Sequence, residues 1–165
     1  MANISDSSLI KNNESIHIKN ALVVLVKTEW NAAIVNELEN GCIHTLHQHG
    51  VKTKTLVVPG AIEIAFAIQH FFNNAKRKAQ PDAFIALGCV IKGETPHFEY
   101  VCNSVTIGIA NLNTSLPVPT IFGVLTVNNV EQAKERIGGT HGHKGEEAAL
   151  TAIKMILLSR QIDKQ

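Results

Sequence analysis

The stretch Ala83-Phe84-Ile85-Ala86-Leu87-Gly88-Cys89-Val90-Ile91-Lys92-Gly93-Glu94-Thr95-Pro96-His97-Phe98-Glu99-Tyr100-Val101 decides how this chain is read. Its first half is a short unbroken apolar run, the pattern of a strand buried on both faces. Lys92-Gly93-Glu94-Thr95-Pro96 continues neither a strand nor a helix interior. Gly93 lets the backbone come close to a ligand, Thr95 offers a hydroxyl, and Pro96 suits the entry to a helix. His97 then stands at the lip of that helix, beside backbone N–H groups with no partner in the helix itself. Strand, polar loop and imidazole together make a candidate anion site with an acid/base group next to it.

Working outward, short apolar runs alternate with helical patterns. The run Ala21–Val26 is followed by a helical stretch from Ala32 to His49 with Val35, Leu38 and Cys42 on one side. Thr55–Val58 reads as a strand ended by Pro59-Gly60, and a helix is expected from Ala61 to about Lys78. After the central strand, Phe98, Val101, Cys102, Val105, Ile109 and Leu112 form the stripe of an amphipathic helix. Thr120–Leu125 is the last strand, and two helical segments follow, Asn129–Ile137 and Gly145–Ser159, separated by a Gly- and His-rich turn. This alternation predicts an α/β fold, a flavodoxin-like three-layer sandwich with a central parallel four-stranded sheet.

The 165 residues suit one domain, expected over residues 15–160, with 45% hydrophobic residues to build a core and a tail at 161–165. Residues 1–14 are polar and expected to be disordered. Ile16, His17 and Ile18 alternate like a short strand that could pair with a neighbouring subunit. A net charge of +1 carries no signature of nucleic acid or membrane partners. No signal-peptide pattern opens the chain and no run is long enough to span a bilayer. Cys42, Cys89 and Cys102 are odd in number and set in apolar surroundings, which reads as reduced, packed thiols in a cytoplasmic protein. In the last helical segment, apolar residues surround nearly the whole circumference, more than one sheet can cover, and a partner chain is expected there.

Ligands of open parallel sheets bind beyond the carboxyl ends of the strands. Those ends carry Trp30 and Asn31; Gly60, Ala61 and Glu63; Cys89 through His97; and Phe122 through Asn128. Trp30 and Phe122 can offer flat apolar surfaces to a ring, although each could equally be core. Glu63 could accept hydrogen bonds from a ligand or simply favour a helix start. Arg136 and Lys144 bracket the Gly-rich turn; they are either solvated cations or phosphate ligands. Neither of the clusters His44-x-x-His47-x-His49 and His141-x-His143 is joined by an obvious third ligand pattern for zinc, and the first reads as a helix-end surface.

Several of these segments together resemble the lumazine synthases (6,7-dimethyl-8-ribityllumazine synthases). The likeness rests on Trp30-Asn31, Val57-Val58-Pro59-Gly60-Ala61-Ile62-Glu63, the central run, Phe122-Gly123-Val124-Leu125-Thr126, Glu131-Gln132-Ala133, Arg136 and Lys144-Gly145-Glu146-Glu147-Ala148-Ala149, in that order across Ala21–Leu158. It implies riboflavin biosynthesis: condensation of 5-amino-6-(D-ribitylamino)uracil with 3,4-dihydroxy-2-butanone 4-phosphate, releasing phosphate and water, with no metal and no organic cofactor. By motif position, Trp30 and Asn31 fall at the pyrimidine ring, and Ala61, Ile62 and Glu63 hold the ring and ribityl chain. Cys89, Val90 and Ile91 contact the ring, Glu94 and Thr95 belong to the phosphate loop, and His97 transfers protons. Phe122 comes from a neighbouring subunit, Arg136 binds phosphate, and Lys144 is the lysine of the site. The resemblance also implies a homopentamer with sites between subunits and leaves an icosahedral shell of sixty subunits open beside it. Trp30 stands where Phe is commoner, Lys92 where Arg is frequent and His143 where Asn is common. A non-catalytic binding module and a purely structural shell protein are the rival readings; His97, Arg136 and Lys144 occurring together weigh against both.

Overall fold

A computed structural model describes residues 17–164. The expected disorder of residues 1–14 and the proposed strand residue Ile16 lie outside the described residues. Four parallel strands, β1 (Leu22–Thr28), β2 (Lys52–Val58), β3 (Ala83–Ile91) and β4 (Thr120–Val127), form one sheet in the order β2-β1-β3-β4. Helices α1 (Ala32–Gln48) and α5 (Lys144–Ile162) pack on each other over one face; α2 (Glu63–Asn74) and α3 (His97–Ser115) cover the other. The architecture is the flavodoxin-like three-layer sandwich that the alternation predicts.

The two inner strands explain their own composition. Val23 and Leu25 of β1 and Ile85 and Leu87 of β3 enter the core under α1 and α5. Val24, Val26, Phe84 and Ala86 enter the core under α2 and α3. A strand covered on both sides has no polar face, so its sequence reads as a continuous apolar run. The edge strand β2 begins at Lys52, three residues before the expected start, because its first half alternates exposed Lys52 and Lys54 with half-buried threonines and shows no apolar run.

Other boundaries also differ from the sequence pattern. α2 runs only from Glu63 to Asn74, where the Asn74 side chain donates to the His70 carbonyl at 2.8 Å and Ala75 turns extended. α3 is longer than expected, beginning at His97 with Pro96 as its N-cap. The helix expected over Asn129–Ile137 is only α4 (Val130–Lys134), capped by Asn129, whose Oδ1 accepts from the Gln132 N–H at 2.9 Å. A small antiparallel hairpin follows, β5 (Ile137–Gly139) with β6 (Gly142–His143). Gly138 and Gly142 take φ of 112° and 72°, open to glycine at little cost, and so end the helical path. His17 and Ile18 belong to no strand of this sheet; Ile18 is buried and its N–H donates to the His49 carbonyl at 2.8 Å.

At the amino-terminal ends of the strands, α5 is tied back onto the sheet. Arg160 donates to the Lys19 and Asn20 carbonyls at 3.0 and 3.2 Å and to Asp82 Oδ1 at 2.8 Å. Asp82 Oδ2 in turn accepts the Leu22 N–H at 2.9 Å. One guanidinium therefore joins the end of the last helix to the entrances of β1 and β3.

The three cysteines are free thiols, as expected, with Cys42 and Cys89 buried. Burial pushes the Cys89 thiol up to about 11, and burial followed by nearby Glu39 raises that of Cys42. Both stay protonated and weakly nucleophilic at neutral pH. His49 departs from the surface reading of its cluster: it is buried, with Nδ1 2.8 Å from the Thr45 carbonyl, whereas His44 and His47 are exposed. No helix among the described residues is long and apolar enough to cross a membrane, and no group of three metal-ligating side chains occurs among them.

Candidate active site

The strand order reverses between β1 and β3, since β1 leads sideways to β2 and the chain then crosses to β3 on its other flank. Such a switch leaves a crevice at the carboxyl ends of the two inner strands. Asn31 closes the backbone across it. Its Nδ2 donates to the Cys89 carbonyl at 2.8 Å, joining the end of β1 to the end of β3. Its own carbonyl accepts the N–H groups of Ile34 and Val35 at 2.9 and 3.1 Å, which starts α1. The left-handed conformation at Asn31, φ 57° and ψ 40°, is one that Asn tolerates better than most residues. This turn leaves the Trp30 ring 73% exposed, an unusual state for the largest apolar side chain.

Gly60 lies where Trp30 and Glu63 meet. A Cβ there would be 2.9 Å from Glu63 Oε2 and 3.8 Å from Trp30 Cδ1, so glycine keeps the carboxylate and the indole on one edge of the crevice. Ala61 is buried beneath them and Ile62 is exposed. Of the β3 end, Cys89 turns its thiol into the core under α1 and presents its carbonyl to Asn31, while Val90 and Ile91 are half-buried. The Lys92 N–H donates to the Val127 carbonyl at 2.9 Å, the last tie before the chain leaves the sheet. Gly93, Glu94, Thr95, Pro96 and His97 are all exposed, and a Cβ on Gly93 would meet nothing within 4 Å. The loop is thus open to a ligand, with the amino-terminal N–H groups of α3 behind it.

Arg136 and Lys144 form a second group on the α1/α5 side, carried by the hairpin. The Lys144 N–H donates to the Arg136 carbonyl at 2.8 Å, so the backbone couples the two cations. Arg136 is largely buried; its Nη1 donates to the Gln132 carbonyl at 2.7 Å and lies 3.9 Å from Glu135 Oε2. Its Nε is buried and has no hydrogen-bond partner among the described residues. Lys144 Nζ donates to both oxygens of Glu147, at 2.7 and 2.9 Å. Glu147 enters the sequence reading only as one residue of the Lys144–Ala149 motif, with no role of its own. The available signal was its spacing, three residues after Lys144 in a helix's first turn, where an acid is favoured and reaches its neighbour.

Phe122 belongs to neither group. It pairs with Ala86, midway along β3, whereas the residue level with Val90 near the crevice is Thr126. The expected position at a strand end is corrected accordingly: Phe122 is a partly exposed aromatic on the flank of edge strand β4, on the α2/α3 side of the sheet. No hydrogen bond or ion pair among the described residues links Arg136 or Lys144 to Trp30, Glu63 or His97. The fold brings together Trp30, Asn31, Gly60–Glu63 and Cys89–Ile91 and sets the loop to His97 beside them, while Arg136 and Lys144 find their hydrogen-bond partners on Gln132 and Glu147.

Comparison with known proteins bears on this arrangement. Residues 20–160 match the family model described as 6,7-dimethyl-8-ribityllumazine synthase. A protein of that name from Bacteroides fragilis is 47% identical over 135 residues, covering 80% of this chain and 92% of its own length. One from Phocaeicola vulgatus is 41% identical over 165 residues, covering 98% of this chain and 94% of its own. One from Bdellovibrio bacteriovorus is 45% identical over 141 residues. With the model spanning the whole sheet, the crevice and the hairpin, the chain belongs to the 6,7-dimethyl-8-ribityllumazine synthase family.

Proposed function

We propose that this chain is a transferase of riboflavin biosynthesis. It condenses 5-amino-6-(D-ribitylamino)uracil with 3,4-dihydroxy-2-butanone 4-phosphate to 6,7-dimethyl-8-ribityllumazine, releasing phosphate and water. The observation that carries the reading is the open crevice at the switch point, where an exposed indole, a carboxylate at Glu63 and the polar loop ending in His97 share one end of the sheet. Trp30 stacks on the pyrimidine, with Asn31 supporting it. Ala61, Ile62 and Glu63 line the ring and ribityl chain, Val90 and Ile91 border the ring with the Cys89 carbonyl, and Glu94 and Thr95 flank the phosphate. The reaction needs imine formation between amine and ketone, loss of phosphate and loss of water. Each step moves protons, which an imidazole can carry near neutral pH, and each requires two substrates held in register. Neither metal nor organic cofactor enters this scheme.

Phe122 sits near the start of the edge strand β4, level with Ala86, and Arg136 and Lys144 make no hydrogen bond to the crevice residues among the described residues; both fit a site shared between subunits, with a neighbour supplying these groups. Partner surface is abundant: Ile62, Phe66, Tyr100 and Ile107 are exposed on the α2/α3 side, and Met155, Leu157, Leu158 and Ile162 on α5. So much exposed apolar area fits contact with further copies. A homopentamer, alone or assembled into an icosahedral shell of sixty, and a cytoplasmic setting complete the proposal. Light scattering at neutral pH is expected to give a pentamer or a multiple of it; an active monomer would overturn the shared site.

Turnover of the two substrates, followed by lumazine fluorescence, tests the activity itself. His97→Ala is expected to slow kcat by roughly tenfold to a hundredfold without abolishing it, since positioning survives the loss of one proton carrier. An unchanged rate would remove His97 from proton transfer.

A further inference from the structure

The His143 ring is wedged where two helices meet and neither has a side chain to spare. A Cβ on Gly41 of α1 would lie 2.2 Å from His143 Cε1 and 2.6 Å from both ring nitrogens. A Cβ on Gly145 of α5 would lie 3.1 Å from Cε1, and one on Gly138 of the hairpin 3.9 Å from Cδ2. The slot is therefore walled by glycines from three elements, and the ring occupies the volume they leave. His143 is also the N-cap of α5. It is extended at φ −118° and ψ 101°, pairs with Ile137 across the hairpin, and its Nδ1 accepts the Glu146 N–H at 3.4 Å. The next residue is Lys144, whose Nζ rests on both Glu147 oxygens.

We propose that His143 is a positioning residue for Lys144: its ring, seated in the glycine slot and capping α5, fixes the first turn of that helix and with it the place of the lysine ammonium. The proposal rests on the reading of Lys144 as a residue of the site. The physical reasoning is local. An N-cap acceptor satisfies an N–H that the helix cannot, and without it the first turn frays. Lys144 and Glu147 both lie in that turn, so their ion pair moves with it. A displacement near 1 Å in a group that manages charge is enough to slow a reaction by one or two orders of magnitude.

Four single variants and one double variant test this in the full-length protein. Lys144→Met should lower kcat on its own. His143→Ala removes cap and wedge and should lower kcat about tenfold or more, whereas His143→Asn keeps a cap acceptor and should stay within about threefold of the parent. Gly41→Ala pushes the ring out of its slot without altering His143 and should match His143→Ala. In the Lys144→Met background, His143→Ala should have no further effect on kcat, because the two act through one group. An equal loss in both backgrounds, or no loss while Lys144→Met is impaired, overturns the positioning role and leaves the site reading intact. A Lys144→Met enzyme with normal kcat removes Lys144 from the site and the proposal with it. If His143→Ala does not fold, Gly41→Ala against His143→Asn reads the same difference.

Discussion

Arg136→Ala is expected to lower kcat/KM for the butanone phosphate by roughly a hundredfold or more, with the affinity for the ribitylaminouracil within about threefold of the parent. The guanidinium is held before any substrate arrives, since Nη1 donates to the Gln132 carbonyl at 2.7 Å and the side chain is 16% exposed. Its Nε is buried without a hydrogen-bond partner among the described residues, an unusual state for such a donor. A preorganised, partly desolvated fork interacts more strongly with phosphate than a solvated one, and the interaction grows as charge builds on the departing group. Arg136→Lys keeps the charge and loses the paired geometry, so it should recover only part of the activity. Steady-state kinetics with each substrate varied in turn would show the asymmetry; equal loss toward both substrates would deny Arg136 a phosphate-specific role.

The second large effect is on stability. Gly145→Ala is expected to cost about 3 kcal/mol, read in denaturant or as a Tm lower by roughly 6–12 °C. The added Cβ would sit 2.0 Å from the Leu38 carbonyl oxygen and 2.9 Å from its carbon. Those are backbone atoms inside α1 and cannot rotate away, so the two helices must part. Between them lie Leu38, Cys42, Ala149 and Ile153, all buried in the core on that side of the sheet. Alanine gains up to about 1 kcal/mol of helix propensity over glycine, which is too little to offset the clash. Gly93→Ala is the matched control, because a Cβ there meets nothing and stability should be unchanged. An undiminished Tm for Gly145→Ala would mean that α1 and α5 can spread without loss of packing.

The sheet was legible because its two inner strands are covered on both sides and must be apolar throughout, as Val23–Val26 and Ala83–Cys89 are. The helices could be read from the stripes that face those strands. The hairpin could not, since Gly138, Gly139 and Gly142 carry no period and the positive φ of Gly138 and Gly142 turns the chain. The crevice was legible where a residue adjoins a strand end in sequence, as Trp30, Asn31 and Glu63 do. Phe122 lies near the start of β4, level with Ala86, and not at the strand's carboxyl end where the crevice opens. The sequence reads His49 as surface because a helix end is usually wet. Here the chain at Ile18 crosses over it, and the Ile18 N–H donates to the His49 carbonyl. Glu147 is legible as a motif residue but not as the partner of Lys144, because an acid early in a helix has an ordinary explanation that conceals that hold.

The Arg160 clasp has a practical corollary for anyone who would attach cargo to this protein. By pinning the end of α5 to Lys19, Asn20 and Asp82, it holds that end at the foot of the strands, a full strand length of about 20 Å from the end that carries Trp30 and His97. A peptide or reporter attached to the end of α5 therefore starts at the opposite end of the strands from Trp30 and His97 of the same chain.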